Sequence, residues 1–497
     1  MVRYYFFLTT IIIFKFSLLS GQSTKVSGRV YWDKNGNNLF DRGDRLLKNI
    51  PLSNGDTIVL SSNKGEFEIE VSVGKSLFPI LPSGYDVAQK IKNSAFQYFD
   101  KLTENTSFFI SFPLIKKEIN AKFRIGAVGD VQIDNLQEAF YANKTIMAEL
   151  LSRNDLDFHI FLGDMVNSDS QMEPIISSML KQLNTPSWVV YGNHDRNYDA
   201  KHQDSTFNSY FGASHYAFNY GEVHFIVLNN VWSDGGRAYK GLFSPEQIRF
   251  VANDLALVPE NKLVVLCQHI PMAYTRNKEE LFSVIGDSRK VLILSGHTHR
   301  VERHFYTDNI SELGVGASCG GWWTGERYFC GIPHALMQDG SPRNYFIIDF
   351  DGSDYSFRFK GVGMDDSKQM NIWVNGQDTI DTYVKTLKEL DKNSVIVNVY
   401  AGSERTKVFM NINNNGWQAM EPIRMIAPEV ARIIAMNRSN VFPTKFSRKS
   451  ALRSSSSPHL WLGYIPDTIE VNTGKIEIKA FDNYGLEVYG SNLFLIK

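Results

Sequence analysis

Cysteine is scarce in this chain. Of 497 residues only Cys267, Cys319 and Cys330 carry a thiol. A chain of this length with so few is held by its core and not by a disulfide framework. Cys319 and Cys330 are close enough in sequence to pair, which would leave Cys267 alone. An excess of either charge is also lacking: 52 Lys and Arg against 53 Asp and Glu leave a formal net charge of -1. That balance argues against a protein that coats nucleic acid, which would show a basic face. Long apolar runs are missing after the N-terminus, so no later segment is suited to span a membrane.

The N-terminus reads as an export signal. Met1-Val2-Arg3 is a short basic start, Tyr4 to Leu19 is mostly apolar, and Ser20-Gly21-Gln22-Ser23 offers small residues for cleavage. Lys15 interrupts the apolar run, which is shorter than the roughly 20 residues of a spanning helix. A cleaved signal is the expectation and an uncleaved anchor the alternative. No Cys follows the run to carry a lipid. The location implied is periplasmic, extracellular or cell-surface, with no membrane span once the signal is removed.

Patterning divides the remainder into three. After the signal (1–22), residues 23–117 alternate polar and apolar positions in short runs, as in Gly65-Glu66-Phe67-Glu68-Ile69-Glu70-Val71, with Gly, Asn and Pro between them. That is the signature of a small β-sandwich. Residues 118–362 instead alternate buried-type strands with helical stretches, the mark of an α/β domain. Residues 363–497 return to short strands with Asn, Gly and Asp turns, and read as a second β-sandwich. The fold class expected is α/β flanked by two all-β domains.

Within the first sandwich, Asp33, Asn35, Asn37, Asp41 and Asp44 place oxygen ligands at positions one, three, five, nine and twelve of a loop, the spacing of a twelve-residue calcium loop. Asn38 stands where such a loop carries Gly, and Asp44 is a shorter arm than the usual Glu. The stretch also resembles the Asp/Asn-rich turn of the B-type repeats of bacterial surface adhesins. A calcium site and a plain Asn/Gly turn are both open.

The chemistry lies in the middle region, where five apolar strands each run into polar residues. Phe123–Val128 leads to Gly129-Asp130-Val131-Gln132, Phe158–Leu162 to Gly163-Asp164, and Trp188–Tyr191 to Gly192-Asn193-His194-Asp195. Leu263–Cys267 leads to Gln268-His269, and Val291–Leu294 to Ser295-Gly296-His297-Thr298-His299. An α/β sheet builds its site at the carboxyl ends of its strands. A pair of cations about 3.5–4 Å apart can hold a phosphate, activate a water and stabilise a leaving oxygen. Such a pair needs a bridging carboxylate and hard or borderline oxygen and nitrogen donors, and these strand ends supply a candidate for every place. His297 and His299 are two apart, so in extended backbone they would point the same way.

In this order the blocks resemble the motifs of the calcineurin-like metallophosphoesterases, over roughly residues 121–361, and the three-part layout resembles exported bacterial members of that superfamily. The resemblance implies a four-layer α/β/β/α sandwich around two facing mixed sheets. It implies that Asp130, Gln132, Asp164 and His299 hold one metal, and that Asp164, Asn193, His269 and His297 hold the other, with Asp164 bridging. His194 is then the acid above the phosphate and Asp195 the residue that orients it, while a hydroxide held between the metals attacks phosphorus in line. The implied cofactors are two divalent or trivalent ions among Mn, Fe, Zn and Mg, and the implied partner is a small phosphorylated substrate. Gln132 departs from the commonest pattern, which has His there. Its amide oxygen is a harder, weaker donor, which leans the first site toward Mn or Mg, or toward a mixed Fe/Zn or Mn pair.

Arg196 and Arg300 directly follow ligand motifs and are candidates to contact a phosphate oxygen. Trp322 and Trp323, in a Gly-rich stretch after the last ligands, are candidate walls for a substrate, or else a plug between domains. His459 reads as packing. The expected function is hydrolysis of a phosphate ester. The alternatives are a phosphodiesterase, nucleotidase or pyrophosphatase of the same fold, and a non-catalytic surface protein whose β domains do the binding. Oligomeric state is not fixed by these patterns.

Overall fold

A computed structural model describes residues 23–102, 108–328, 330–377, 383–384, 387, 390–439, 450, 452–466 and 473–495. The expected export signal at 1–22 lies outside the described residues.

The N-terminal domain follows from strict alternation. In Glu66–Ser72 the three apolar residues are buried and the glutamates are exposed. This strand pairs antiparallel with Ser23–Trp32, which pairs in parallel with Phe108–Lys116. A second small sheet packs beside the first, with Leu52, Leu77 and Phe78 fully buried. The loop after Trp32 closes on itself. Asp33 accepts the N–H groups of Gly36 and Asn38, Asp44 those of Lys34 and Asp41, and the amides of Asn35 and Asn37 both reach Asp41. Its carboxylates hold the turn that they shape.

The middle of the chain forms two facing sheets. The first has the order Ser187–Val189, Phe158–Phe161, Lys122–Val128, Asn344–Asp351, Asp354–Gly361. Its first three strands are parallel, Asn344–Asp351 pairs antiparallel with Lys122–Val128, and Asp354–Gly361 pairs antiparallel with Asn344–Asp351. The second has the order Tyr216–Tyr220, Val223–Val227, Leu263–Cys267, Val291–Ser295, Ile310–Val315, Val301–Phe305, with the central four parallel. Strands such as Leu263–Cys267 and Val291–Ser295 are buried at every position. That is why they read as unbroken apolar runs, since parallel strands are covered on both faces. Phenylalanines fill the space between the sheets: Phe123 stacks on Phe350 at 4.7 Å, and Phe225 meets Phe158 at 5.5 Å and Phe350 at 5.9 Å. Helices such as Glu173–Gln182 and Pro245–Leu255 each bury one apolar stripe, Ile176 and Leu180 in the first, Phe250 and Val251 in the second. The overall class is α/β, as expected.

The C-terminal region holds two four-stranded antiparallel sheets, one with Met370–Val374, Ser394–Val399, Leu460–Tyr464 and Glu421–Ile423, the other with Trp417–Ala419, Lys407–Ile412, Thr473–Phe481 and Glu487–Leu495. It is not purely β. Pro428–Arg438 is a helix with Pro at its start, where a missing N–H costs nothing, and with Val430, Ile433 and Met436 buried at helical spacing.

Candidate metal centre

The strand ends converge. Asp164, His269 and His297 each place a ligand atom within 4.8 Å of the others. Asp164 Oδ2 lies 3.2 Å from His269 Nε2, and that nitrogen lies 3.0 Å from Asn193 Oδ1. Asp130 Oδ2 lies 3.1 Å from His299 Nε2, while Asp130 Oδ1 accepts the His297 N–H at 3.0 Å. Asp130, Gln132, Asp164, Asn193, His269 and His299 are buried, and His297 is half-buried. The seven sequence candidates therefore stand together. Glycines let the strand ends approach this closely: a Cβ at Gly192 would sit 2.3 Å from Asp164 Oδ1, and one at Gly296 would sit 2.5 Å from Asp130 Oδ1.

His297 and His299 do not point the same way. His297 joins Asp164 and His269, while His299 joins Asp130. The extended-backbone expectation fails because both residues are left-handed, at φ 73° and 51°. Gln132 and Asp164 share that conformation, at φ 46° and 49°. L-residues adopt it at a cost, and such residues gather where surrounding structure holds a functional geometry.

The electrostatics suit cations. Burial works against the charge of Asp164, but His269, then His194 and His297, hold its carboxyl well below the usual range. His269, which burial alone would push down, is pushed up to about 9, chiefly by Asp164. His297 is pushed down to about 4 by burial and by its neighbour His269. Asp130 Oδ2 is buried and faces only the His299 imidazole, at 3.1 Å, and burial of a carboxylate is costly unless positive charge faces it. Carboxylate, imidazole and amide donors in this grouping fit two borderline or hard cations. Gln132 is buried beside Cys319, whose thiol lies 3.7 Å from its Oε1, while its Nε2 donates to Asn167 Oδ1 at 3.3 Å.

His194 is half-exposed at the rim, and its N–H donates to Asp164 Oδ1 at 2.8 Å. Its Nδ1 lies 2.8 Å from Ser168 Oγ, so Ser168 orients the ring. Asp195 does not, contrary to expectation: it is buried beneath the site, where it accepts the N–H groups of Met165, Val166 and Gly192. It pins the loop that carries Asp164. Ser168 lies four residues beyond Asp164, and no spacing rule in the sequence singled it out.

Arg196 is likewise no substrate contact. Its buried guanidinium donates to the carbonyls of Asn193, Arg237 and Ala238 and lies between the rings of Tyr198 and Tyr239, at 4.8 and 4.9 Å. It anchors the hairpin formed by Val231–Gly235 and Ala238–Gly241, whose Tyr239 meets the His297 ring edge-on at 6.0 Å. Arg300 is partly exposed, 3.9 Å from Glu302. The tryptophans divide. Trp322 is 45% exposed and stacks on His299 at 4.4 Å, so it forms a wall of the site. Trp323 is buried, and its indole N–H donates to Val131 O. Cys319 and Cys330 are both free thiols, Cys319 enclosed beside His299 and Cys330 exposed, so the two do not pair.

Comparison with known proteins gives matches to two sequence families. Residues 123–301 match the calcineurin-like phosphoesterase family, and residues 312–488 match the C terminal of calcineurin-like phosphoesterase. The second match begins inside the second central sheet, so the two meet within one structural unit. Among curated proteins, the probable glycerophosphodiester phosphodiesterase GpdQ of Arcobacter nitrofigilis is 26% identical over 157 residues, 29% of this chain and 57% of that relative. The chain thus spans little more than half the length of that relative. Among solved structures, a dimetal phosphatase from Danio rerio is 14% identical, with a TM-score of 0.35, over 48% of this chain and 96% of the other. The purple acid phosphatase PPD1 of yellow lupin, Lupinus luteus, is 11% identical, with a TM-score of 0.35, over 62% of this chain and 66% of the other.

Proposed function

We propose that this chain, which matches the calcineurin-like phosphoesterase family over residues 123–301 and that family's C-terminal domain over residues 312–488, is a metal-dependent phosphoesterase that hydrolyses phosphodiesters, with His194 as the acid for the leaving group. The observation that carries the reading is the arrangement of two ligand groups, Asp130 with His299 and Asp164 with Asn193, His269 and His297, beneath a half-exposed His194. These residues would hold two cations, which when bound would supply positive charge near the phosphoryl oxygens and lower the pKa of a water.

The chain's own groups do the rest. Asp164 faces His269 through one oxygen and receives the backbone N–H of His194 through the other, so one carboxylate ties the ligand set to the loop that carries the acid. Ser168 holds the His194 ring by Nδ1, and Nε2 has no protein partner among the described residues. A proton on Nε2 is therefore available to the leaving oxygen. Trp322, stacked on His299 and open to solvent on its other side, gives the second ester arm of a diester an apolar surface. The name of the curated relative, a phosphodiesterase, supports the same ester type.

The test is hydrolysis of bis(4-nitrophenyl) phosphate against 4-nitrophenyl phosphate by the full chain reconstituted with Mn, run beside His194→Ala. Faster turnover of the diester, lost in the variant with cations retained, is the expected result. Preference for the monoester would replace this reading with a phosphomonoesterase, and turnover untouched by His194→Ala would remove His194 from the mechanism.

A further inference from the structure

The strand Val301–Phe305 begins two residues after His299, and the C-terminal domain reaches it at two points, at the first through Asp339 and at the second directly. At the near point the Val301 N–H donates to Asp339 Oδ2 at 2.6 Å. The other oxygen of Asp339 takes the Ser341 N–H and hydroxyl, at 2.8 and 2.6 Å. His459 of the C-terminal domain places Nε2 3.5 Å from Asp339 Oδ2, an ion-pair separation longer than a formed hydrogen bond. The ring is fixed from behind: Nδ1 lies 2.7 Å from Asn398 Oδ1, and Asn398 Nδ2 donates back to Asp339 O at 3.2 Å. Asn398 and Leu460, the residue after His459, are direct partners across two strands of that domain. His459, Asp339 and Asn398 are all buried.

At the far point Arg303, also buried, donates to both oxygens of Asp482, at 2.5 and 3.3 Å, and to the carbonyls of Tyr484 and Ala401. Asp482 takes the Thr406 hydroxyl and the Tyr484 N–H besides. Two charged clusters are an expensive way to glue domains together, since desolvating ions costs more than packing apolar side chains of the same size. What they provide is direction: each pins one defined position of a strand whose other end holds a metal ligand. His299 needs such holding, because its backbone is left-handed and its ring is set by Nδ1 against Gly320 O at 2.5 Å.

We propose that the C-terminal domain is a working part of the metal centre, with His459 acting through Asp339, and Asp482 through Arg303, as positioning residues that hold His299 in its ligand geometry. This rests on the two-cation reading above. Partners one step removed from a metal set its affinity by about 10- to 100-fold when they orient a ligand.

The experiment titrates Mn into the full-length chain, its His459→Ala, His459→Gln and Asp482→Asn variants, at a temperature well below every unfolding midpoint. The parent should take up two equivalents. His459→Ala and Asp482→Asn should weaken one of them by about 10- to 100-fold and leave the other unchanged. His459→Gln, which keeps a polar N–H group facing Asp339, should recover most of the loss. Glue alone would lower the unfolding midpoint without touching either affinity, so two equivalents bound as tightly in both variants as in the parent overturn the inference. A parent that takes up no Mn would sink the two-cation reading, and this inference with it.

Discussion

Ser168→Ala should slow catalysis without unfolding the protein. Ser168 is half-buried, and its Oγ lies 2.8 Å from His194 Nδ1; the Tyr198 hydroxyl lies farther off, at 3.5 Å. The hydroxyl carries no packing load, so its loss should cost stability little. Its bond to the ring matters most when the imidazole is charged, and hydrogen bonds to charged groups contribute about 1.5–3 kcal/mol. At about 1.4 kcal/mol per tenfold change, kcat should fall roughly 10- to 100-fold while KM stays near its parent value. His194→Ala removes the acid itself and should cost about 10²–10⁴. Because Ser168 acts through His194, the double variant should be no slower than His194→Ala alone. Steady-state kinetics on the reconstituted chain decides the matter, with thermal unfolding as the control. The reasoning is refuted if Ser168→Ala keeps the parent kcat, or if its effect survives undiminished in the His194→Ala background.

Trp322→Ala should raise KM for an aromatic ester about two- to tenfold, the equivalent of roughly 0.5–1.5 kcal/mol of ring contact, and barely move the unfolding midpoint. Trp323→Ala should instead cost about 3–5 kcal/mol of stability, as large core deletions do; equal behaviour of the two variants in denaturation would contradict their different burial. Arg196→Ala strips three backbone carbonyls of their donor, of which that of Asn193 belongs to a buried residue, and should destabilise by about 1–3 kcal/mol, the cost of one buried group left unpaired. Arg196→Lys should rescue only part, because an ammonium lacks the planar fork, and a raised KM with unchanged stability would restore Arg196 as a substrate contact. Glu173 is buried with neither oxygen hydrogen-bonded, and burial, with the charge of Asp195 adding to it, pushes its carboxyl up to about 9. A folded value above the unfolded one, 4.5, means that folding takes up a proton: the fold is least penalised below pH 4.5 and loses stability as pH rises toward 9. Denaturation at pH 5 and pH 8 should therefore show a smaller loss at pH 8 in Glu173→Gln than in the parent, and equal losses would rule this out.

Much of the centre was legible because each ligand follows directly on an apolar strand. The run Leu263–Cys267 and the polar pair after it need only short-range information, and the topology of a parallel sheet brings such ends to one edge. Side-chain partners were less legible. Asp195 stands beside His194 in the chain, which made it the natural orienter, yet its oxygens turn to the N–H groups of the Asp164 loop, while Ser168 reaches His194 from 26 residues away. Arg196 misled in the same manner, since proximity to a motif says nothing of the direction in which a side chain leaves it.

The sequence by itself determined the class of the protein: alternation at both ends, unbroken apolar strands in the middle, and a donor set of Asp, Asn, Gln and His at five strand ends. These are properties of periodicity and residue type, which act over a few residues. The resemblance implied how the donors divide, but only the tertiary structure decided the backbone that divides them. The left-handed turns at His297 and His299 send two imidazoles to different carboxylates, and Asp339, which holds Val301 and is backed by His459 and Asn398, joins a distant domain to the site. Backbone of that hand is unfavourable locally and persists only where contacts from elsewhere in the fold hold it, so no stretch of sequence read alone could have specified it.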